Sequence, residues 1–177
     1  HGDRRKVLAI TIQADETQEY VDFGRRDVET LTGEEVKNAL LEAGLFGFIQ
    51  QLPYAVTTTP DTMPKAIFVS AFRDMPLASD FEVELKGNEK DFQTGLTALS
   101  KIQKTYLGLS VHQTASALVN AKDVEINVFD GKCPAGNVGV QVNHINPINK
   151  GEVVWTVDPA AVIFFGRLFN TGKVDLR

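Results

Sequence analysis

The chain has 177 residues, and its 18 basic and 23 acidic side chains give a formal net charge of −5. This length favours one domain, and the acidic balance argues against binding to nucleic acid or to anionic lipid by charge alone. Cys133 is the only cysteine, so the sequence offers neither a disulfide framework nor a thiolate metal site, and a reducing, cytoplasmic compartment fits. No apolar run approaches the ~20 residues that a membrane span needs, and we expect no direct span.

The first thirty residues contain one regular pattern. Residues 6–13 (KVLAITIQ) place Leu8, Ile10 and Ile12 on one side of an extended chain, which predicts a strand. Residues 15–30 are acidic and irregular, and we interpret them as a linker beside a domain boundary. We therefore expect the strand to stay outside the main sheet, with an edge free to pair with another chain.

The clearest early helix signal follows this linker. Thr32 and Glu35 have the spacing of a capping box, in which each side chain accepts a hydrogen bond from a free amide of the first turn. An apolar stripe follows, and Gly44 is placed to end the helix in a left-handed conformation. We expect residues 45–51 to form a short second turn, and residues 54–64, rich in threonine and proline, to form an exposed loop.

Strand and helix patterns alternate over the rest of the chain. Strands are predicted at residues 66–69, 105–111, 124–129 and 152–157, and helices at residues 88–102, 114–121 and 138–145. A last helix is predicted after Asp158, a good N-cap, with Pro159 at its first position and Gly172 at its end. This alternation implies a mostly parallel sheet with helices on both faces, so the predicted fold class is α/β.

The sequence contains no convincing phosphate-binding loop. Residues 44–47 and 134–139 are the nearest candidates, and neither has the spacing of a dinucleotide-binding loop or a P-loop. Gly44 is better explained as the end of a helix, and Gly136 as part of a turn before a helix.

No catalytic or metal-binding residue is predicted from the sequence either. His112 and His144 are far apart along the chain and lack a second ligand at metal-site spacing. Cys133 precedes a proline, and we assign it no nucleophilic role. Glu82 and Glu84 lie in a polar stretch, and we interpret both carboxylates as solvated. The residues alone therefore predict an α/β domain without a complete active site.

Several stretches resemble the A subunit of the sodium-translocating NADH:quinone oxidoreductases. They are residues 33–54 (GEEVKNALLEAGLFGFIQQLPY), 64–72 (PKAIFVSAF), 91–102 (DFQTGLTALSKI), 128–155 and 160–173. The resemblance covers nearly the whole chain and implies four regions. These are the last strand of a preceding lipoyl-like domain at residues 1–14, a linker at 15–30, a Rossmann-like domain at 31–173, and the start of a β-grasp-like domain at 174–177.

A more distant resemblance suggests a flavin site that has been lost. The flavin- and NADH-binding subunit of complex I and the C subunit of the Rnf complex carry a helix ending in A-G-L, followed by a glycine-rich loop that admits FMN phosphate. Gly44 remains here, and Phe46, Gly47, Phe48 and Ile49 follow it. The bulky side chains of this segment should block close approach of a phosphate. The resemblance therefore implies a degenerate flavin loop at these five residues and no cofactor bound by this chain.

The resemblance also implies a role within an assembly. Such a protein is a soluble, peripheral piece on the cytoplasmic side of the bacterial inner membrane, docked on the membrane-embedded B subunit. It supports ubiquinone reduction coupled to sodium export, and the complex as a whole carries FMN, FAD, a 2Fe-2S cluster, riboflavin and ubiquinone. We expect the surviving function to lie within residues 45–65. The candidate surface for quinone or a partner protein of the complex consists of Phe48, Leu52 and Tyr54.

Two other functions stay open at this point. One is a flavin- or nucleotide-binding dehydrogenase module with an unusual site, which would need a phosphate-binding loop that the glycine pattern does not supply. The other is an interaction scaffold that binds no ligand at any stage. A simpler structural explanation also exists for Phe46 and Phe48, whose rings would only fill the space that a flavin has vacated.

Overall fold

A computed structural model describes residue 7, residues 9–17 and residues 19–177. Within these residues six strands form one sheet: β1 (Ile49–Leu52), β2 (Val56–Thr57), β3 (Ile67–Ser70), β4 (Thr105–Ser110), β5 (Glu125–Phe129) and β6 (Val154–Val157). The helices of the same residues are α1 (Gly33–Glu42), α2 (Phe81–Leu85), α3 (Glu89–Ile102), α4 (Ser116–Val119), α5 (Val138–Ile145) and α6 (Pro159–Thr171). Two short 3-10 turns cover Val28–Thr30 and Leu45–Phe48.

The sheet is mostly parallel, as the alternation of patterns predicts. Its spatial order is β2-β1-β6-β3-β4-β5, and the four strands from β6 to β5 run parallel to one another. β1 pairs antiparallel with β6, and β2 pairs antiparallel with β1 at the edge. The predicted α/β class is confirmed, with an antiparallel ribbon added to one side.

Helices cover the two faces of the sheet unequally. Ile67 and Val69 of β3 point into the larger core, which α1, α3 and α6 complete. Phe68, between them in the sequence, points to the opposite face and stacks on Tyr106 of β4, with ring centroids 4.8 Å apart. Val142 of α5 belongs to this smaller second core. The period-two alternation of a strand buried on both faces thus separates the two layers.

Local signals in the sequence fix the ends of two helices. The Thr32 hydroxyl accepts from the Glu35 amide at 3.3 Å, and the Glu35 carboxylate accepts from the Thr32 amide at 2.8 Å, which completes the capping box of α1. Asp158 caps α6 by accepting from the Ala160 amide at 2.9 Å. Gly172, with a φ of 75°, ends α6 in a left-handed conformation. Both predicted helices are confirmed.

The stretch between α1 and β3 differs from its prediction. Residues 45–51 form the expected turn only as far as residue 48, after which β1 begins. Residues 54–64 are not a plain loop, because Val56 and Thr57 return along β1 as a hairpin strand. β2 has only two residues and both are exposed, so it carries no apolar alternation that could reveal it.

The first thirty residues agree with their prediction only in part: the described residues before residue 15 lie outside the main sheet, as expected, but they form no strand. At residue 7 and residues 9–13 no strand forms and the side chains are exposed, whereas Lys6 and Leu8 lie outside the described residues. The second half of the predicted linker packs on the domain. The Phe23 and Arg26 amides donate to carbonyl groups at the end of α6, at 2.8 and 3.0 Å, and Val28 is buried. The assignment of residues 1–14 to a preceding domain stays a prediction.

Candidate functional site

The parallel strands end at an open cleft of about 490 Å³. Ser70 ends β3 and Val157 ends β6, and the first residues of α5 and α6 form the adjacent walls. In open α/β sheets, ligands and partners gather at this carboxyl edge, where the strand order changes direction. We therefore treat this cleft as the candidate site.

The floor of the cleft is polar and partly unpaired. Thr156, on β6, is 7% exposed, and its hydroxyl has no hydrogen-bond partner among the described residues. Gln50 lies beside it in the antiparallel pair of β1 and β6. Ser70 is fully engaged, since its hydroxyl donates to the carbonyl of Gly136 at 3.0 Å. The floor can thus offer a hydroxyl and an amide to a ligand.

The charge at the cleft is negative because its one cation is neutralised. The Arg73 guanidinium lies 2.6 Å from the Glu84 carboxylate and 3.2 Å from that of Asp158, and only a fifth of its side chain is exposed. Asp74 also lines the cleft and accepts from the Gly136 amide at 2.8 Å. No cationic side chain remains among the lining residues to receive a phosphate.

The turn at residues 44–49, where the resemblance implies a degenerate flavin loop, contributes apolar side chains to this region. Gly44 has a φ of 73° and ends α1, after which Phe46 turns into the core and packs edge-to-face on Trp155 at 5.5 Å. Ile49 is fully buried at the start of β1. Phe48 is 42% exposed, lines the cleft together with Gly47, and contacts Phe164 at 6.0 Å.

The three residues of the predicted surface do not lie together. Phe48 precedes β1 at the carboxyl edge of the parallel strands, whereas Leu52 ends β1 at the opposite edge. Leu52 is half-buried against the second core, and Tyr54 is 77% exposed in the hairpin turn beyond it. The predicted surface is therefore two separate places joined by one strand.

The carboxylates that the sequence suggested were solvated hold loops in place, and that interpretation is wrong. One Glu82 oxygen accepts from the amides of Thr114 and Ala115, at 2.7 and 2.6 Å, and so connects α2 to the loop after β4. Glu84 accepts from the Arg73 guanidinium and so connects α2 to the loop after β3. The acidic pair belongs to a helix of only five residues, too short for its periodicity to show in the sequence.

The remaining candidates from the sequence form no site together. His112 and His144 are exposed, and the described residues contain no group of three or more histidine, cysteine or acidic side chains that could hold a metal. The exposed Cys133 thiol lies 3.3 Å from the sulfur of Met75, at the rim of the cleft. Across the part of the chain that the structure describes, no helix has both the length and the hydropathy to cross a membrane.

A larger hollow of about 900 Å³ lies near the end of α6 and is less suited to a ligand. Two of its four cationic residues already have carboxylate partners, because the guanidinium groups of Arg167 and Arg177 lie 3.4 and 2.8 Å from the carboxylates of Asp91 and Asp175. It also lies away from the carboxyl edge of the sheet. The smaller cleft is the stronger candidate despite its volume.

Fold and cleft define a Rossmann-like α/β domain with a small acidic cleft where its parallel strands end. A family model described as the NqrA second alpha/beta domain matches residues 31–174, and the chain belongs to this family. The resemblance predicted from the sequence is confirmed.

Curated relatives, each named as the A subunit of the Na(+)-translocating NADH-quinone reductase, agree with this membership. They include proteins of Neisseria meningitidis serogroup A, 35% identical over 99% of this chain, and of Pseudomonas aeruginosa PAO1, 31% identical over 98%. The protein of Actinobacillus pleuropneumoniae is 31% identical over 98%. The chain spans 40% of the length of each of these relatives.

Proposed function

We propose that this chain is a domain of a peripheral subunit in a sodium-translocating NADH-quinone reductase, on the cytoplasmic side of the bacterial inner membrane. In this proposal the protein docks on the membrane-embedded B subunit and supports ubiquinone reduction coupled to sodium export. Other subunits oxidise NADH and carry the flavins and the iron–sulfur cluster. Membership of the family and the shared name of the relatives support this role.

We assign no flavin or NADH to this domain. The observation that carries this point is the packing of the degenerate flavin loop, in which the Phe46 ring fills space against Trp155. Binding of a phosphate requires several backbone amide groups that point at it and have no other hydrogen-bond partner. A bulky side chain in the loop keeps the backbone from approaching a ligand closely enough to provide them.

Charge at the cleft supports the same conclusion. Asp74 and Asp158 line it, and Glu84 and Asp158 already neutralise Arg73. A phosphate group would meet carboxylates without a free guanidinium or ammonium group beside them, so its binding is disfavoured. The absence of a free cation among the described residues of the cleft weighs against the dehydrogenase module, which would need a site for the phosphate of its cofactor.

The hairpin of β1 and β2 supplies the proposed contact with quinone or a partner protein of the complex. Phe48 at one end and Tyr54 at the other expose aromatic surface, and such groups suit a quinone ring or a protein interface better than a phosphate. Because the two residues lie at opposite edges of the sheet, we propose that they serve separate contacts. The pure scaffold differs from this proposal only in excluding contact with quinone.

Titration of the purified chain with FMN and with NADH tests the missing cofactor. We expect no heat of binding by calorimetry and no bound chromophore after gel filtration, because neither the loop nor the cleft can hold a phosphate. A wild-type chain that retains one equivalent of yellow flavin through gel filtration would contradict the proposal. Adenosine without phosphate is the matched control, since its binding would report the cleft but not a phosphate site.

A further inference from the structure

The turn at residues 75–78 has an unexpected residue at its tip. The Ala78 amide donates to the Met75 carbonyl at 3.0 Å, Pro76 occupies the second position, and Leu77 occupies the third with a φ of 64°. This is the geometry of a type II turn, whose third position favours glycine or asparagine because a side chain there strains the backbone. A branched leucine is therefore a poor choice for the turn itself.

Leu77 also contributes nothing to the core of the domain. Its relative exposure is 105%, so the side chain is as open to water as in an extended peptide. Met75, two residues earlier, is 59% exposed, and Val83 on α2 is 62% exposed. The fold thus holds a strained apolar residue in water, and strain of this kind is informative when nothing inside the molecule explains it.

The flanks of this turn are held in place, so Leu77 is presented at a defined position. On one side Arg73 donates to the Ser79 hydroxyl at 2.6 Å and pairs with Glu84. On the other side Asp74 accepts from the Gly136 amide at 2.8 Å. A side chain on a braced turn loses little freedom when it enters a partner, which favours binding.

The charge around Leu77 indicates what kind of surface it meets. Residues 73–84 contain four carboxylates and one guanidinium, and that guanidinium is paired with Glu84. Negative surroundings repel anionic lipid and favour a protein surface rich in lysine or arginine. An apolar side chain amid acids is complementary to an apolar pocket with a basic rim.

We infer that the turn at residues 75–78 is a docking site, and that its Leu77 side chain inserts into an apolar pocket with a basic rim on another protein of the same assembly. The inference rests on the proposed function, because that assembly supplies the partner. Leu77 gives the contact its apolar area, while the surrounding carboxylates orient the partner and exclude surfaces of the same charge.

Binding of the full-length protein to the complex that lacks it tests the inference. Leu77→Gly removes the side chain and suits the backbone, so we expect equal or higher thermal stability together with roughly 10- to 100-fold weaker binding. Wild-type binding should also weaken as salt rises, because carboxylates face cations. Met63→Ala is the matched control: Met63 is 57% exposed in the loop before β3, at the opposite edge, and its loss should leave binding unchanged.

The possible results separate the inference from the proposed function. If wild type and Leu77→Gly bind the complex equally, the inference is wrong and the proposed function stands. If the wild-type protein does not bind the complex at all, the proposed function fails and the inference fails with it. The inference is also wrong if Leu77→Gly leaves binding to the complex unchanged but abolishes self-association or binding to phosphatidylglycerol vesicles. Leu77 would then contact a second copy of the protein or a lipid surface.

Discussion

Gly136 lies where two segments of the chain meet at the cleft. Its amide donates to Asp74 and its carbonyl accepts from Ser70, so it joins the turn before α5 to the end of β3. A β-carbon at this position would overlap the carbonyl oxygen of Phe72 and lie 2.6 Å from a carboxylate oxygen of Asp74. The shape of this wall therefore depends on the missing side chain.

Replacing Gly136 with alanine should destabilise the domain. We expect a loss of about 1–3 kcal/mol in the free energy of unfolding, because the backbone must move to relieve the overlap. Chemical denaturation measures it. Gly47→Ala is the control: Gly47 lines the same cleft with no atom within 4 Å of an added β-carbon, and we expect a change within about 0.5 kcal/mol. Equal stability of the two variants would show that the wall does not depend on the close approach at Gly136.

Glu35 makes the capping box of α1 sensitive to pH. Hydrogen bonds from the backbone amide and the hydroxyl of Thr32 hold the pKa of Glu35 below its ordinary value of 4.5. A lowered pKa in the folded state means that the ionised carboxylate stabilises the fold above pH 4.5. This contribution is lost as the pH falls through the folded pKa.

Glu35→Gln should therefore lower stability at pH 7 and lose its effect in acid. The amide keeps the shape and an acceptor oxygen but carries no charge, so the difference from wild type should shrink steadily below pH 4.5. Thermal unfolding followed by circular dichroism across this range measures the difference. The control Glu16→Gln changes an exposed residue outside any helix. A difference that stays constant with pH would show that the charge plays no part.

At the scale of elements, the β1–β2 hairpin gives two aromatic residues different tasks. Phe48 packs on Phe164 and is little more than half-buried, whereas Tyr54 is mostly exposed in the turn. Phe48→Ala should lower the free energy of unfolding by about 1–2 kcal/mol through lost apolar contact, and Tyr54→Ala by less than about 0.5 kcal/mol.

Comparing assembly and turnover with stability then separates packing from contact. We expect Tyr54→Ala in the full-length protein to reduce assembly or quinone reductase activity while the fold stays stable. If both variants leave assembly and turnover per folded complex normal, the proposed contact at the hairpin is wrong, and Phe48 serves only to pack on Phe164.

Elements with local signals were predictable from the sequence, and those defined by distant partners were not. Thr32, Glu35, Asp158 and Gly172 mark helix ends by chemistry within a few residues, so α1 and α6 could be placed. β1 is a strand because it pairs with β6, about a hundred residues later, and its own sequence, Ile-Gln-Gln-Leu, lacks the period-two apolar alternation of a strand.

Helix packing depends on contacts that the sequence does not reveal. An added β-carbon at Gly95 of α3 would overlap the Val162 carbonyl of α6, and one at Gly166 would overlap the Asp91 carbonyl. These glycines let α3 and α6 approach closely, but in the sequence each is only a poor helix former within an apolar stripe.

At the scale of the whole molecule, the candidate site joins parts of the chain that are far apart. Its lining comes from the turn before β1, the loop after β3, the turn before α5 and the start of α6. The family resemblance could locate the first of these, but not the neutralised Arg73 or the unpaired Thr156 hydroxyl. Those features depend on tertiary neighbours. The predicted surface at Phe48, Leu52 and Tyr54 is divided because β1 carries the chain from one edge of the sheet to the other.

Purification of the tagged full-length protein from membranes of its own host tests the claim that it is a subunit of a reductase assembly. We predict that the tag retains the other reductase subunits, that the isolated assembly reduces quinone with NADH in a sodium-dependent manner, and that the tagged protein by itself is colourless. Recovery of the protein without those subunits from membranes that contain an active reductase would contradict the claim.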